Sequence, residues 1–334
     1  MRALRAPLAW GAVGTAYAGR ALSSCPTRCA SVGASWPALP PTAPAALRAA
    51  LEDEQRALCA FRVEPDCVRT LGGPVEFYDE LLAGVAGAKR RILLASLYIG
   101  TGEKETALLE AVASACARQP ALRATLLVDA LRTQRVERPS GVSSLQRILE
   151  TAGGCIAPAA EGPAAGESGE SGEPEPRGGL EVFLYHTHLL GRLGKQLLPP
   201  RWNEGISLQH CKVYLFDDTV ILSGANLSDT YFTDRDDRYV VFADCAPLAE
   251  YVTRLFGGSE GLPALCYSVP APAGGANGAA EPGEAAALRP PAIGFDPVRE
   301  SAGFGDAAAA HLAAFLATER ARQLAEAQRA EEGA

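Results

Sequence analysis

Residues 208–229 read LQHCKVYLFDDTVILSGANLSD, and this stretch decides how the rest of the chain is read. Residues 212–216 and 219–223 are short, largely apolar runs with the pattern of strands. At the head of the first run His210 and Lys212 stand two residues apart, so the strand period turns both to one face. Asp217 follows after four intervening residues, and Ser223-Gly224-Ala225-Asn226 closes the second run. Asn226 joins His210 and Lys212 if that turn brings the end of the second strand back alongside them.

An imidazole beside a fixed cation and an amide suits chemistry at phosphorus. A neutral histidine attacks phosphorus directly to give a phosphohistidine, dividing one hard displacement into two easier ones. Lys212 and the Asn226 amide can hold phosphoryl oxygens and stabilise charge on them, a task that elsewhere falls to metal ions. A carboxylate such as Asp217 can set the tautomer and orientation of a histidine. This chemistry calls for no metal and no other cofactor.

Outward from this block, helical and strand patterns alternate. Residues 75–88 (VEFYDELLAGVAGA), 105–117, 143–151 and 247–256 read as helices, and 92–99, 124–130, 180–186 and 238–242 as strands. The alternation predicts an α/β fold, a mixed β-sheet flanked by helices. Residues 156–179 (IAPAAEGPAAGESGESGEPEPRGG) are acidic and free of aromatics. They offer too little apolar surface to offset ordering entropy, and a disordered insertion is expected. Residues 267–305 read as a Gly/Pro/Ala-rich linker and 306–334 as an Ala-rich helix, leaving a compact lobe at 62–260.

Composition narrows the function classes. With 48% hydrophobic and 21% charged residues among 334, the chain is not wholly disordered. No uncharged apolar run reaches the roughly 18 residues of a transmembrane helix. The net charge of -8 comes without a long basic patch interleaved with aromatics, which argues against a nucleic-acid partner. Charge is also uneven: residues 1–51 hold five arginines and no acid, leaving 26 basic against 39 acidic residues in the remainder. Such an Arg-bearing, Ala/Ser-rich start is the composition of an organellar transit peptide, so residues 1–46 are read as transit peptide and linker, and the protein as mitochondrial. Arg20 and the lack of a compact apolar core weaken the rival reading of a secretory signal. Nine cysteines show no C-x-x-C pairing, and the seven beyond the presequence are expected as reduced thiols.

His210-x-Lys212 with Asp217 and the Gly/Asn turn resembles the HKD motif of the phospholipase D superfamily. The longer block at 201–240 (RWNEGISLQHCKVYLFDDTVILSGANLSDTYFTDRDDRYV) resembles the phosphatidylglycerophosphate synthase family within it. So do residues 90–105 (RRILLASLYIGTGEKE) and 181–187 (EVFLYHT). The resemblance implies a phospholipase-D-like lobe and transfer of a phosphatidyl group from CDP-diacylglycerol to glycerol 3-phosphate through a phosphohistidine on His210. It also implies that Lys212, Ser223, Gly224 and Asn226 grip the phosphate, with Asp217 in the acidic position of the motif. That superfamily builds its site from two HKD motifs, whereas no second H-x-K occurs in these 334 residues. The expectation is one lobe, which pairs as a homodimer or belongs to a larger whole. A single-motif phosphodiesterase using water as acceptor, or an inactive lobe that only binds, is the rival.

Around the motif, Ser96, Gly100, Thr101, Gly102 and His186 are candidate substrate contacts. The turn at 100–104 lacks the G-x-x-x-x-G-K-[ST] spacing of a nucleotide loop, so an ordinary strand-to-helix turn competes with a phosphate cradle for the cytidine diphosphate. His186 and His188 lack a third ligand at metal spacing and read as substrate-facing or structural. Arg235 and Arg238 are candidates for binding glycerol phosphate, and His311 reads as a surface residue. Residues 189–202, with leucines around Arg192 and Lys195 and a nearby Trp202, form a basic amphipathic stretch suited to peripheral membrane contact.

Overall fold

The computed structural model describes residues 29–31, 59–157, 178–190, 208–271 and 288–332. Most of the predicted presequence, insertion residues 158–177 and most of the amphipathic stretch (its residues 191–202) lie outside the described residues. Ten strands are present among them: β1 (Cys29–Ser31), β2 (Phe61–Val63), β3 (Val68–Thr70), β4 (Arg91–Ala95), β5 (Arg123–Asp129), β6 (Gly179–Tyr185), β7 (Val213–Phe216), β8 (Thr219–Ser223), β9 (Tyr239–Phe242) and β10 (Cys266–Ser268). The α-helices are α1 (Pro74–Gly87), α2 (Glu103–Arg118), α3 (Ala130–Thr133), α4 (Ser144–Ala152), α5 (Asp229–Thr233), α6 (Ala246–Gly257) and α7 (Ser301–Glu332).

Eight strands form one mixed sheet in the order β10-β6-β5-β4-β7-β8-β9-β3. The central β4, β5 and β6 are parallel, and every other pairing is antiparallel. Parallel neighbours need crossovers, and α2 supplies the one between β4 and β5. A separate antiparallel pair joins β1 to β2.

The period of two sorts each strand between two cores. Ile92, Leu94, Leu126, Tyr214 and Phe216 face one cluster with Phe77, Leu81 and Val85 of α1 and Leu108, Leu109 and Val112 of α2. Leu93, Ala95, Leu127, Val213 and Leu215 face the other, with Ala249, Val252 and Phe256 of α6. Each Val, Leu, Ile or Phe side chain among these contributes about 1.5–3 kcal/mol when fully buried. On the first face Phe77 stacks on Tyr239 with ring centroids 4.7 Å apart, and Gly84 lets α1 lie close to the sheet. A Cβ at Gly84 would sit 2.4 Å from the Phe216 ring.

Three features depart from expectation. Residues 267–305 are not linker throughout, because Tyr267 and Ser268 pair with β6 and α7 starts at Ser301. Three-residue strands such as β3 and β10 are too short to show a period. Cys245, expected as a free thiol, is disulfide-bonded, whereas Cys59, Cys67, Cys116, Cys155, Cys211 and Cys266 are free. Spacing along the chain cannot report cysteines that folding brings together. His311 is half-buried, its Nε2 lying 3.0 Å from the carbonyl of Gly261.

Candidate active site

The ends of six strands meet at one edge of the sheet. Residues leave there after β4, β5, β6 and β8, and enter at β7 and β9, because Ala95 pairs with Leu127 and Val213, Val213 with Leu222, and Ser223 with Tyr239. The carboxyl ends of parallel strands are the usual place for a ligand in an open α/β sheet.

His210 lies just before β7 and is exposed. Burial of part of its ring environment, and then the charge of Lys212, hold its pKa below the ordinary 6.5, favouring the neutral, nucleophilic form. Lys212 is only 5% exposed, and its Nζ donates to the His210 carbonyl oxygen at 2.9 Å. Desolvation lowers the Lys212 pKa to about 8, partly offset by Cys211 and Asp237. Across the hairpin, the Ser223 amide donates to the Lys212 carbonyl at 3.4 Å, so the turn after β8 does return beside the histidine–lysine pair.

That turn is held from several sides. Ser223 Oγ accepts from the Ala225 amide (3.0 Å), and the Gly224 amide donates to Asp237 Oδ1 (3.0 Å). The Tyr214 hydroxyl donates to the Ala225 carbonyl at 2.6 Å. Ser96, fully buried, accepts from the Leu227 amide at 3.3 Å, so its hydroxyl braces the turn. Asn226 is 6% exposed, and its Oδ1 has no hydrogen-bond partner among the described residues. A buried amide oxygen left this way is suited to an incoming donor.

Other candidates are placed differently. Asp217 lies at the far end of β7, seven residues and about 20 Å of extended chain from His210. It sits at φ 50° in the β7–β8 hairpin, and its carboxylate accepts from the backbone amides of Lys89, Arg90 and Arg91 at 2.8–3.0 Å. The expected catalytic placement of Asp217 is therefore corrected: it pins the turn ahead of β4. The phosphate cradle at 100–102 is also corrected, because the Gly100 amide donates to Leu227 O at 2.7 Å and the Gly102 amide bonds the carboxylate of Glu105. A Cβ at Gly100 would collide with Glu105 Oε1, so these glycines make room for the buried Glu105 carboxyl group rather than for a phosphate. Thr101 Oγ1 meets Ser140 Oγ at 2.7 Å. His186 is 2% exposed at the end of β6, with Nδ1 2.8 Å from the Thr187 carbonyl, and does not face solvent. The Arg235 guanidinium lies 4.2 Å over the Tyr231 ring, and Arg238 is exposed beside Asp237, both on the loop tied to Gly224.

Two residues at this edge escaped sequence reasoning. Glu105 is 2% exposed, accepts from the Asp229 amide, and has its pKa raised, chiefly by burial. Asp129 ends β5 and bonds the amide of Gln209, next to His210. A strand-terminal Asp is the only sequence signal for the second, and none marked the first. Among the described residues, no group of three His, Cys, Asp or Glu side chains is placed to hold a metal ion.

Fold and site together define a mixed α/β lobe with a histidine, a lysine and an asparagine gathered at its strand ends. By sequence the chain is similar to CDP-diacylglycerol–glycerol-3-phosphate 3-phosphatidyltransferases: the mitochondrial human enzyme at 39% identity over 201 residues, covering 58% of this chain and 32% of that protein. The Schizosaccharomyces pombe enzyme is 37% identical over 195 residues, covering 58% and 34%, and a probable Dictyostelium discoideum enzyme is 34% identical over 198, covering 59% and 30%. The chain spans about a third of the length of these relatives. No family model matches it. Among solved structures, phosphatidylserine synthase of Haemophilus influenzae Rd KW20 aligns over 60% of this chain and 39% of its own, at 19% identity and TM-score 0.41. Nuc from Salmonella typhimurium, a phospholipase D family member, aligns over 55% and 86%, at 17% identity and TM-score 0.32.

Proposed function

We propose that this chain transfers the phosphatidyl group of CDP-diacylglycerol to glycerol 3-phosphate. The observation that carries the reading is the meeting of His210, Lys212 and the Ser223–Asn226 turn at one sheet edge, in a chain similar to enzymes named for that reaction. A ring nitrogen of His210 attacks the phosphatidyl phosphorus, a P–N bond forms, and the P–O bond to CMP breaks with its electron pair leaving on CMP. The primary hydroxyl of glycerol 3-phosphate then attacks, the P–N bond breaks, and the hydroxyl proton passes to the freed imidazole. Lys212 and Asn226 stabilise charge on the phosphoryl oxygens in both steps.

A second histidine that protonates the leaving group comes, in this reading, from a second motif outside this lobe, as on a partner copy. A lipid substrate also calls for contact with a membrane surface. No helix among the described residues is long and apolar enough to cross one. Together with the acid-free start and the mitochondrial designation of the human relative, the reading places the protein in mitochondria, peripheral to a membrane. The test is a transfer assay with CDP-diacylglycerol and labelled glycerol 3-phosphate, run with light scattering. Labelled phosphatidylglycerol phosphate, lost in His210→Ala, supports the reading; release of phosphatidic acid by water alone favours a phosphodiesterase, and a folded inactive chain contradicts both.

A further inference from the structure

Asp129 is fully buried, and its two carboxylate oxygens serve different parts of the chain. Oδ1 accepts from the amides of Leu131 (3.0 Å) and Arg132 (2.9 Å), capping α3. Oδ2 accepts from the amide of Gln209 at 3.1 Å, across 80 residues of sequence. Gln209 is itself 7% exposed and directly precedes His210. On the capped side, the Arg132 guanidinium lies 3.8 Å over the Tyr98 ring, and the Tyr98 hydroxyl donates to Ser228 Oγ at 3.3 Å, two residues beyond Asn226. One carboxylate is thus joined to the histidine side of the site and, through Arg132 and Tyr98, to the asparagine side.

We propose that Asp129 is a positioning residue that fixes the backbone ahead of His210, so that the imidazole meets phosphorus in register with Lys212 and Asn226. The inference rests on the proposed transferase reading for its consequence in turnover, but not for its geometry. His210 precedes β7 and has no ladder partner of its own, since the pairing of β7 with β4 and β8 begins at Val213. The Gln209–Asp129 bond is an anchor on its approach. A charge-assisted bond to a buried carboxylate is strong, and a displacement of about 1 Å at a reacting group costs about 100-fold in rate.

Asp129→Asn separates positioning from folding. The amide has one acceptor oxygen and an NH2 that only donates. Turned toward α3, the oxygen keeps two bonds; turned toward Gln209, it keeps one. On these three bonds the first arrangement is expected to prevail, and it sets the NH2 against the Gln209 amide, donor against donor. In the full chain, amide exchange by NMR is expected to show Gln209 protection falling about tenfold or more, with Leu131 and Arg132 within about threefold of wild type. The His210 titration is expected to move up toward its ordinary value as the approach loosens, and kcat for transfer to fall about 100-fold with KM within about threefold. Gln209→Pro removes the donor itself, leaves the α3 cap in place, and is expected to reproduce the kcat loss. Asp296→Asn, which alters a similar cap in the turn before α7, is expected to leave Gln209 exchange and kcat unchanged.

Unchanged Gln209 protection in Asp129→Asn overturns the proposal, as does loss of protection at Gln209, Leu131 and Arg132 together, which marks a purely structural cap. An unmoved His210 titration overturns it too. A wild-type chain without transferase activity contradicts the proposed function, while Gln209 exchange and the His210 titration still decide the role of Asp129.

Discussion

The Lys212 ammonium donates to the carbonyl of His210 at 2.9 Å while only 5% of the lysine remains exposed. The cation proposed to meet a phosphate is therefore held against the backbone of the proposed nucleophile, in a place where burial works against its charge. Its pKa falls to about 8, while that of His210 lies below 6.5.

The proposed transfer requires a neutral His210 and a charged Lys212. The rate at limiting substrate is expected to rise with pH through the histidine value, below 6.5, and to fall as pH passes about 8. Lys212→Arg keeps its charge across the range, so it removes the alkaline limb while lowering the plateau, since a fork replaces a point charge. A pH profile of kcat/KM for both proteins checks this, and an alkaline limb that persists in Lys212→Arg contradicts it.

The same lysine shapes stability. Its folded value, about 8, lies below its ordinary 10.5, so the unfolded chain binds more protons between those limits and stability rises with pH across that window. Lys212→Met is expected to flatten the slope there. Urea midpoints measured between pH 7.5 and 10.5 decide it.

Asp217→Ala is expected to lower stability by about 1–3 kcal/mol, because the amides of Lys89, Arg90 and Arg91 lose their acceptor. The kcat of the folded fraction is expected to stay within about threefold of wild type. A loss of kcat comparable to that of His210→Ala would return Asp217 to the catalytic machinery.

Gly84→Ala places a methyl group 2.4 Å from the Phe216 ring and is expected to destabilise by about 1–3 kcal/mol through overpacking. Thermal unfolding checks it. The alternative outcome, a small gain from helix propensity, would mean that α1 and the sheet separate easily.

Glu319 is 2% exposed and accepts from the Arg254 fork at 2.7 and 2.8 Å and from Arg322 at 2.7 Å. Glu319→Ala leaves both guanidinium groups without this partner; Arg254 and Arg322 are partly exposed and keep Glu250 and Glu260, so the expected loss is about 1–3 kcal/mol, as for lost bonds to charged groups. Limited proteolysis is expected to cut within α7 sooner in the variant. Equal digestion rates contradict a docking role for this pair.

Much of this architecture was legible in local pattern. The helices at 74–87 and 103–118 carry a 3.6-residue apolar period, and 219–223 matches its strand residue for residue. The histidine–lysine pair and the Ser223–Asn226 turn meet because a hairpin must return to its own start. What stayed hidden depends on distance in sequence: Asp129 finds Gln209 only after three strands assemble. Asp217 was misplaced for a related reason, since motif spacing does not say that four strand residues carry it to the opposite edge.

The most direct test of the central claim is to mix the full chain with CDP-diacylglycerol alone and follow CMP release and the mass of the peptide containing His210. The account predicts CMP release matched by a phosphatidyl adduct on His210, discharged when glycerol 3-phosphate is added. A folded chain that releases no CMP, or an adduct on any other residue, would contradict it.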